Sequence, residues 1–240
     1  MKTMLLASLL IVTIILTTFA SAANVFAYSG NVSTPHSTAK LTGCFSAPLP
    51  KVNWSGCKMA HTEIHFSDMA GANLSKMVAK NGLFYNVNLS GASMQNAVLS
   101  GSNFAYSDLS DTDLRGADLR NIDFYHTNLS GADLRSANLL GARFPGVDFS
   151  NAKLTGQNMP HTNIIGANLQ RAELQNAILS SVDMRGAIFD GANLKGADLG
   201  NSDITGGSFA DAILTGANLG GLDYSGANMS CYGHPVCNRG

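Results

Sequence analysis

Large apolar side chains recur at every fifth position over most of the chain. The series starts at Trp54, ends at Met229 and is broken only by the small side chain of Ala79. The residue two places before each large one is usually small, and the residue between them is most often Asn or Asp. An α-helix rotates about 100° per residue and a strand alternates its faces every two residues, so neither keeps a five-residue stripe on one side. The pattern therefore predicts a coil with sides five residues long, each turning one large and one small side chain inward.

The phenylalanines indicate how many sides make one turn. When the inward positions are sorted with a period of twenty, one vertical stack holds Phe84, Phe104, Phe124 and Phe144. The stack on the next side holds Phe149, Phe189 and Phe209, and the other two sides have no inward Phe. Neighbouring turns of a solenoid lie about 4.8 Å apart, so like rings stack on each other. The sequence predicts about nine turns over residues 52–231, with Phe104 packed against Phe124.

Short runs within this pattern share a recognisable unit. Examples are Ala117-Asp118-Leu119-Arg120, Ala132-Asp133-Leu134-Arg135-Ser136 and Gly191-Ala192-Asn193-Leu194-Lys195-Gly196-Ala197-Asp198-Leu199. These runs resemble the A(D/N)LxX unit of the pentapeptide-repeat family, and the resemblance covers about three quarters of the chain. The resemblance implies an all-β fold, a right-handed quadrilateral β-helix. Because a solenoid needs capped ends, we interpret residues 23–51 as an N-terminal segment and cap and residues 232–240 as a C-terminal cap or tail.

The N-terminus has the composition of an export signal. Lys2 precedes an apolar run at residues 4–19, and Ala20-Ser21-Ala22 follows as a small-x-small cleavage pattern. The run is shorter than the roughly 20 apolar residues that a membrane-spanning helix needs. We therefore predict a signal peptide at residues 1–22, cleaved after Ala22 or alternatively after Ala27. The protein is then exported to the periplasm or the extracellular space, with no membrane span after cleavage.

Four cysteines lie near the two ends of the predicted mature chain, as Cys44 with Cys57 and Cys231 with Cys237. Disulfides persist in an oxidising compartment, and four cysteines allow three pairings. If the two ends of the rod are far apart in space, only the two local pairings can form. Metal ligation with His234 is disfavoured, because the tail offers two Cys and one His with no matching second knuckle.

Composition and motifs argue against catalysis and against nucleic-acid binding. The 240-residue chain has a formal net charge of −1, so it offers no polycationic surface. It contains no phosphate-binding loop, no metalloprotease motif and no serine-nucleophile elbow, and its six His are dispersed. We predict no catalytic residue, no metal site and no cofactor. Acids such as Asp113 and Asp133 are interpreted as repeat residues that serve backbone hydrogen bonds and neutralise an outward row containing Arg115, Arg135 and Lys195.

Aromatic residues at outward positions break the polar pattern on one side, the side whose interior holds the Phe84 to Phe144 stack. On the period of twenty, neighbouring turns bring together His65, Phe66, Tyr85, Tyr106, Tyr125 and His126. We call these six residues the aromatic patch. Aromatic side chains on a rigid surface are typical anchors for a sugar ring or a partner protein. The alternative is that the rings only stack on each other and shield a flat face.

These observations predict an exported, non-enzymatic scaffold or binding rod that recognises a protein or glycan through the aromatic patch. One alternative is a DNA-mimic inhibitor of a DNA-processing enzyme such as gyrase, which the signal peptide and the near-neutral charge disfavour. A second is a hydrolase whose site lies on the caps, near His36 or His234. The sequence does not predict the oligomeric state.

Overall fold

The computed structural model describes Cys44, residues 46–159 and residues 161–238. The predicted signal peptide and most of the N-terminal segment lie outside these residues. Strand β1 is Glu63–His65 and strand β2 is Leu83–Tyr85. They pair in parallel, with Ile64 opposite Phe84. Both strands belong to the side that carries the aromatic patch, and each is centred on a buried inward residue, Ile64 or Phe84.

Elsewhere, the turns are joined by single-residue parallel bridges between positions twenty apart. The series begins with Asn53 opposite Asn73 and continues along all four sides to Ser208 opposite Asn228. One coil of the chain therefore takes twenty residues, as the phenylalanine pattern predicts, and the architecture is a quadrilateral β-helix. Within the described residues, no helix is both long and apolar enough to cross a membrane.

The interior is the stack of large side chains that the period of twenty predicts. Phe104 is fully buried, with its ring centroid 4.5 Å from that of Phe84 and 5.8 Å from that of Phe124. Phe124 in turn lies 5.5 Å from Phe144. Phe189 and Phe209 pack against each other on the neighbouring side, with ring centroids 5.0 Å apart. The prediction that side chains twenty residues apart are in contact is confirmed.

The small inward positions carry hydroxyl groups at several places, and these groups satisfy backbone carbonyls. Ser107 Oγ donates to the carbonyl oxygen of Phe84 at 2.7 Å, and Thr112 Oγ1 donates to that of Leu109 at 2.7 Å. Among the described residues, no buried side-chain nitrogen or oxygen lacks a hydrogen-bond partner. Because a buried polar group without a partner is costly, Ser and Thr fit these positions only through such bonds.

Each side ends in a tight turn that directs the chain around the corner. At one corner, the Ser107 N–H donates to the Phe104 carbonyl at 3.1 Å, and Tyr106, the third residue of the turn, has a φ of 60°. A positive φ at this position, as in a type II turn, favours Gly or Asn. Gly101 occupies an equivalent corner with a φ of 74°, and a Cβ there would clash with Asn81 Oδ1.

Both ends of the described rod are closed by local disulfides, Cys44–Cys57 and Cys231–Cys237. The two local pairings are thus the ones that form. Trp54, the only tryptophan, is fully buried in the first turn, and its Nε1 donates to Ser46 Oγ at 3.0 Å. Ser46 and Cys44, just before the β-helix, therefore contact its first turn.

The C-terminal end departs from the repeat in two ways. Tyr232 bridges to Ile213, a step of nineteen residues instead of twenty, so the register shortens by one residue where the cap begins. Tyr224 occupies a position in the inward series but is 43% exposed. The expectation of an inward, buried side chain is wrong at Tyr224, because this residue lies in the last turn and no further turn covers it.

Candidate binding surface

The aromatic patch is built from residues that form turns at one corner of the coil. His65, Tyr85 and Tyr125 each follow an inward residue directly, and His65 and Tyr85 are the last residues of strands β1 and β2. Phe66, Tyr106 and His126 lie one position further from the inward residue, with left-handed φ values of 49°, 60° and 51°. A residue with a Cβ in this region costs on the order of 1 kcal/mol relative to Gly, and bulky residues are uncommon there. Asn86 shows that the repeat places Asn at the same corner, with a φ of 54°.

The six side chains form one continuous set of ring contacts across four turns. His65 and Phe66 both contact Tyr85, with centroid distances of 6.5 and 5.9 Å. Tyr85 then contacts Tyr106 edge-on at 5.5 Å. Tyr106 contacts Tyr125 at 5.5 Å and stacks on His126 at 5.8 Å, and the last two rings lie 4.3 Å apart. The structure therefore brings together all six residues that the sequence assigns to the patch.

Stacking within the patch leaves much of its apolar surface in contact with solvent. Phe66 is 74% exposed, Tyr106 is 48% exposed and Tyr125 is 39% exposed. The phenol of Tyr106 has a raised pKa, first because neighbouring groups displace water from it and then because Tyr125 lies beside it. Tyr106 therefore stays protonated at neutral pH and keeps a hydroxyl group that can donate a hydrogen bond. Self-stacking alone does not shield Phe66.

A shallow depression of about 420 Å³ lies against the patch. Phe66 and Tyr106 line it on one side, and Asp68, Asn88 and Asp108 line the other. These three polar residues are part of a column on the adjacent side of the coil that alternates Asp and Asn. We call this column the Asp/Asn ladder; its members are Asp68, Asn88, Asp108, Asn128, Asp148 and Asn168.

The Asp/Asn ladder is ordered by hydrogen bonds between turns. In each of three pairs, the Asn Nδ2 donates to the Oδ1 of the Asp one turn earlier: Asn88 to Asp68 at 2.9 Å, Asn128 to Asp108 at 3.0 Å, and Asn168 to Asp148 at 3.0 Å. The same Oδ1 atoms accept a backbone N–H two residues later, as from Ala70 to Asp68 at 3.1 Å. The interpretation of these acids as residues that serve backbone hydrogen bonds is confirmed for the ladder.

A second set of acids is held by arginines on another side of the coil. Arg115 donates to both carboxylate oxygens of Asp113, at 2.9 and 2.7 Å, and Arg135 makes the same pair of bonds to Asp133. The Arg115 guanidinium lowers the pKa of Asp113 to about 2, so the carboxylate stays ionised and paired at neutral pH. The predicted neutralisation of this row is therefore present as direct ion pairs, at Arg115 and Arg135.

Other groups considered from the sequence form no cluster in the described part of the chain. No group of three or more His, Cys, Asp or Glu side chains there could hold a metal ion. His234 Nδ1 accepts the backbone N–H of Val236 at 3.3 Å within the C-terminal cap. His36 lies outside the described residues.

The position of the Asp/Asn ladder beside the patch is the feature that sequence reasoning missed. Asp68 follows Phe66 by two residues, and Asp108 follows Tyr106 by two residues. The same period of twenty that gathers the aromatic residues also aligns these acids next to them. Sorting the outward acids by that period would have found them.

A four-sided β-helix built from repeated units, with its large side chains packed in the interior, defines the class of solenoid repeat proteins. The family profile for pentapeptide repeats matches this chain in eight copies, over residues 83–121, 117–156, 158–196, 167–206 and 192–230. The matches cover more than half of the chain, which therefore belongs to the pentapeptide-repeat family. Its fold is the right-handed β-helix of that family.

Several solved structures are similar to the chain. HetL, a pentapeptide repeat protein involved in heterocyst differentiation regulation from the cyanobacterium Nostoc sp., is 22% identical over 80% of this chain and 91% of its own, with a TM-score of 0.49. QnrB1, a plasmid-mediated fluoroquinolone resistance protein, is 23% identical over 73% and 83%, with a TM-score of 0.44. A pentapeptide repeat protein from the Arabidopsis thaliana thylakoid lumen is 31% identical over 44% and 66%, with a TM-score of 0.22. No curated protein matches the chain.

Proposed function

We propose that this protein is an exported, non-enzymatic binding rod that recognises a protein or a glycan through the aromatic patch. The observation that carries the proposal is the display of large rings at left-handed corners. Phe66 remains 74% exposed at a backbone position where Asn or Gly costs less. Left-handed corners recur along the described rod, and outside the patch they carry Gly or polar residues such as Lys76, Asn121 and Arg171. Exposed aromatic residues are typical of binding hot spots.

The rigidity of the support favours the same function. The patch rests on the buried stack that includes Phe84, Phe104 and Phe124, and its turns are held by backbone bonds such as the one from Tyr106 N–H to the Tyr125 carbonyl at 2.9 Å. A surface whose side chains are already ordered loses less conformational entropy on binding. The rod therefore presents a preorganised surface with no need for rearrangement.

The DNA-mimic alternative is less well supported by the charges of the described residues. A mimic of duplex DNA needs an anionic surface around the rod, whereas on the two sides away from the aromatic patch Asp113, Asp118 and Asp133 are each paired with an arginine two residues later. A supercoiling assay with purified gyrase tests this alternative directly. Inhibition or protection of gyrase at stoichiometric protein concentration would favour the alternative over the binding rod.

Export is tested by cell fractionation and N-terminal sequencing of the mature protein. The two disulfides support this part of the proposal, because they persist in oxidising compartments. We expect the chain in the exported fraction to begin at Ala23 or Tyr28, the residues after the two predicted cleavage sites. A cytoplasmic protein that still begins at Met1 would contradict export.

The role of the patch is tested by the triple variant Tyr85→Ser, Tyr106→Ser and Tyr125→Ser. The turn tolerates serine, since Ser136 adopts a φ of 61° at an equivalent corner. The mature protein and the variant are immobilised and exposed to the exported fraction and to a neutral glycan array. We expect the triple variant to lose at least about tenfold in affinity for any specific ligand, because hot-spot aromatic residues contribute about 2 kcal/mol or more each.

The control is the double variant Leu140→Ser and Tyr224→Ser, which removes exposed apolar side chains far from the patch; they are 64% and 43% exposed. This variant should bind as the unmodified protein does. Equal binding by the patch variant and the unmodified protein would show that the aromatic residues only pack against each other on the surface and do not bind the ligand.

A further inference from the structure

Charge is divided unevenly between the sides of the rod. The two sides that meet at the patch are formed, in the first five turns, by residues 63–71, 83–91, 103–111, 123–131 and 143–151. They carry six acids and one base: Glu63, Asp68, Asp108, Asp111, Asp123, Asp148 and Arg143. The opposite two sides of the same turns, residues 53–61, 73–81, 93–101, 113–121 and 133–141, carry six bases and three acids. A chain of nearly zero net charge therefore presents a locally anionic surface around the patch.

The acids lie next to aromatic rings in a repeated arrangement. Phe66 and Asp68 are on one turn, and Tyr106 and Asp108 are two turns away, so the two ring–carboxylate pairs are separated by roughly 9.6 Å. All four residues line the same depression. Tyr85, on the turn between them, contacts both Phe66 and Tyr106.

An aromatic face beside a carboxylate is suited to a cationic side chain. A guanidinium or ammonium group is attracted to the face of an aromatic ring, and it also donates a strong, charge-assisted hydrogen bond to a carboxylate oxygen. In each pair, Oδ1 of the Asp already accepts the ladder and backbone bonds, as at Asp68. These bonds hold the carboxylate in place, and they use Oδ1 and not Oδ2.

The spacing between the two pairs fits a peptide in a particular conformation. In a polyproline-II helix, side chains three residues apart lie on the same face and are separated by about 9.3 Å, close to the separation of two turns of this coil. Anionic ligands, such as phosphates or uronic acids, would be repelled by Asp68 and Asp108. A neutral sugar would stack on the rings without using the charge of either carboxylate.

We propose that the depression binds an extended basic segment of a partner protein, with two arginine or lysine side chains three residues apart. One cation lies between Phe66 and Asp68, and the other lies between Tyr106 and Asp108. The inference rests on the proposed binding function of the patch and narrows it to a cationic peptide.

The experiment is a calorimetric titration of the mature protein with a capped Arg-Pro-Pro-Arg peptide. Its comparison ligands are the same peptide with Gln at both Arg positions and a neutral oligosaccharide. We expect the Arg peptide to bind at least tenfold more tightly than the Gln peptide, with an affinity that falls as salt is added.

The informative variant is Asp68→Asn with Asp108→Asn, which removes both charges. Asn retains the Oδ1 that accepts the Ala70 and Ser110 N–H groups, so the turns should keep their structure. We expect this variant to bind the Arg peptide at least tenfold more weakly. The matched control is Asp148→Asn, because Asp148 accepts the same ladder bond from Asn168 but has Pro145 and Gly146 at the corner instead of aromatic residues. It should bind as the unmodified protein does.

The outcomes separate this inference from the proposed function. Absence of Arg-peptide binding, or equal binding by the Asp68→Asn, Asp108→Asn variant, overturns the cationic ligand. If a neutral oligosaccharide binds instead and the tyrosine triple variant loses it, the patch is a binding site with a different ligand. If the tyrosine triple variant loses no ligand at all, the proposed function itself fails.

Discussion

Replacing Phe104 with Ala should destabilise the protein by about 3 to 5 kcal/mol, the range for deleting a large aromatic side chain from a packed interior. Phe104 is fully buried and lies between Phe84 and Phe124, with centroid distances of 4.5 and 5.8 Å. The substitution leaves a cavity and removes a stacking partner from both neighbouring rings. The backbone around it is fixed by bonds to adjacent turns, such as the Phe104 N–H to the Asp123 carbonyl at 2.8 Å, so the coil cannot easily collapse into the space.

The measurement is urea unfolding followed by circular dichroism, with hydrogen exchange to locate the effect. In a solenoid each turn contacts only its neighbours, so amide exchange should accelerate most around residues 84, 104 and 124. The matched control is Tyr106→Ala, two residues away on the same turn but 48% exposed, which should cost much less. Similar losses for the two variants would mean that the interior stack does not dominate the stability of these turns.

Phe104 and Phe66 illustrate what the period of twenty can and cannot predict. The period fixes which residues of successive turns are adjacent, so it correctly predicts the buried phenylalanine stack and the six neighbours in the aromatic patch. The period does not determine how much of a side chain at the corner is exposed to solvent. The 74% exposure of Phe66 depends on the left-handed φ of its own turn and on Asn86, a smaller residue, being next in its column.

At the ends of the rod, the repeat no longer predicts which side chains are buried. A residue inside the coil is covered by turns on both sides, whereas Tyr224 has a turn on one side only and is left half-exposed. The shift in register at Tyr232 has a related origin, since the cap after Met229 follows its own hydrogen bonds, including Asn238 N–H to the Met229 carbonyl at 3.0 Å. Such contacts do not recur along the chain, so no periodic pattern in the sequence predicts them.

The ring–carboxylate pairs can be predicted from the sequence, but only by comparing two adjacent columns of the coil. The acids of the Asp/Asn ladder belong to the repeat, and their common role in backbone hydrogen bonds hides any additional one. Asp68 and Asp108 differ from Asp148 only in their neighbours, because aromatic residues precede the first two and Gly146 precedes the third. The distinction appears when two adjacent columns of the coil are considered together.

Removing the N-terminal disulfide with Cys44→Ala and Cys57→Ala should destabilise the first turns by about 3 kcal/mol, the value expected for releasing a loop of this length. The two cysteines are 13 residues apart, and Cys57 occupies a small inward position that is Ala at equivalent places such as Ala72 and Ala92. Alanine therefore fits the interior, and the loss reflects the missing cross-link. Without it, the residues that cover the first turn are held by fewer contacts, and the end of the coil should open before the rest.

Trp54 provides a local measurement of that opening. It is the only tryptophan, it is fully buried, and its Nε1 donates to Ser46 Oγ at 3.0 Å within the cap. In the variant, the fluorescence of Trp54 should shift to the red at a lower urea concentration than the one at which the circular dichroism signal of the whole coil is lost. The control variant Cys231→Ala with Cys237→Ala opens the other disulfide, whose cysteines are six residues apart, and should leave the Trp54 transition unchanged. If the urea midpoint of the Trp54 fluorescence change falls equally in both variants, the nine turns unfold as one unit. Neither disulfide then stabilises only the end of the coil in which it lies.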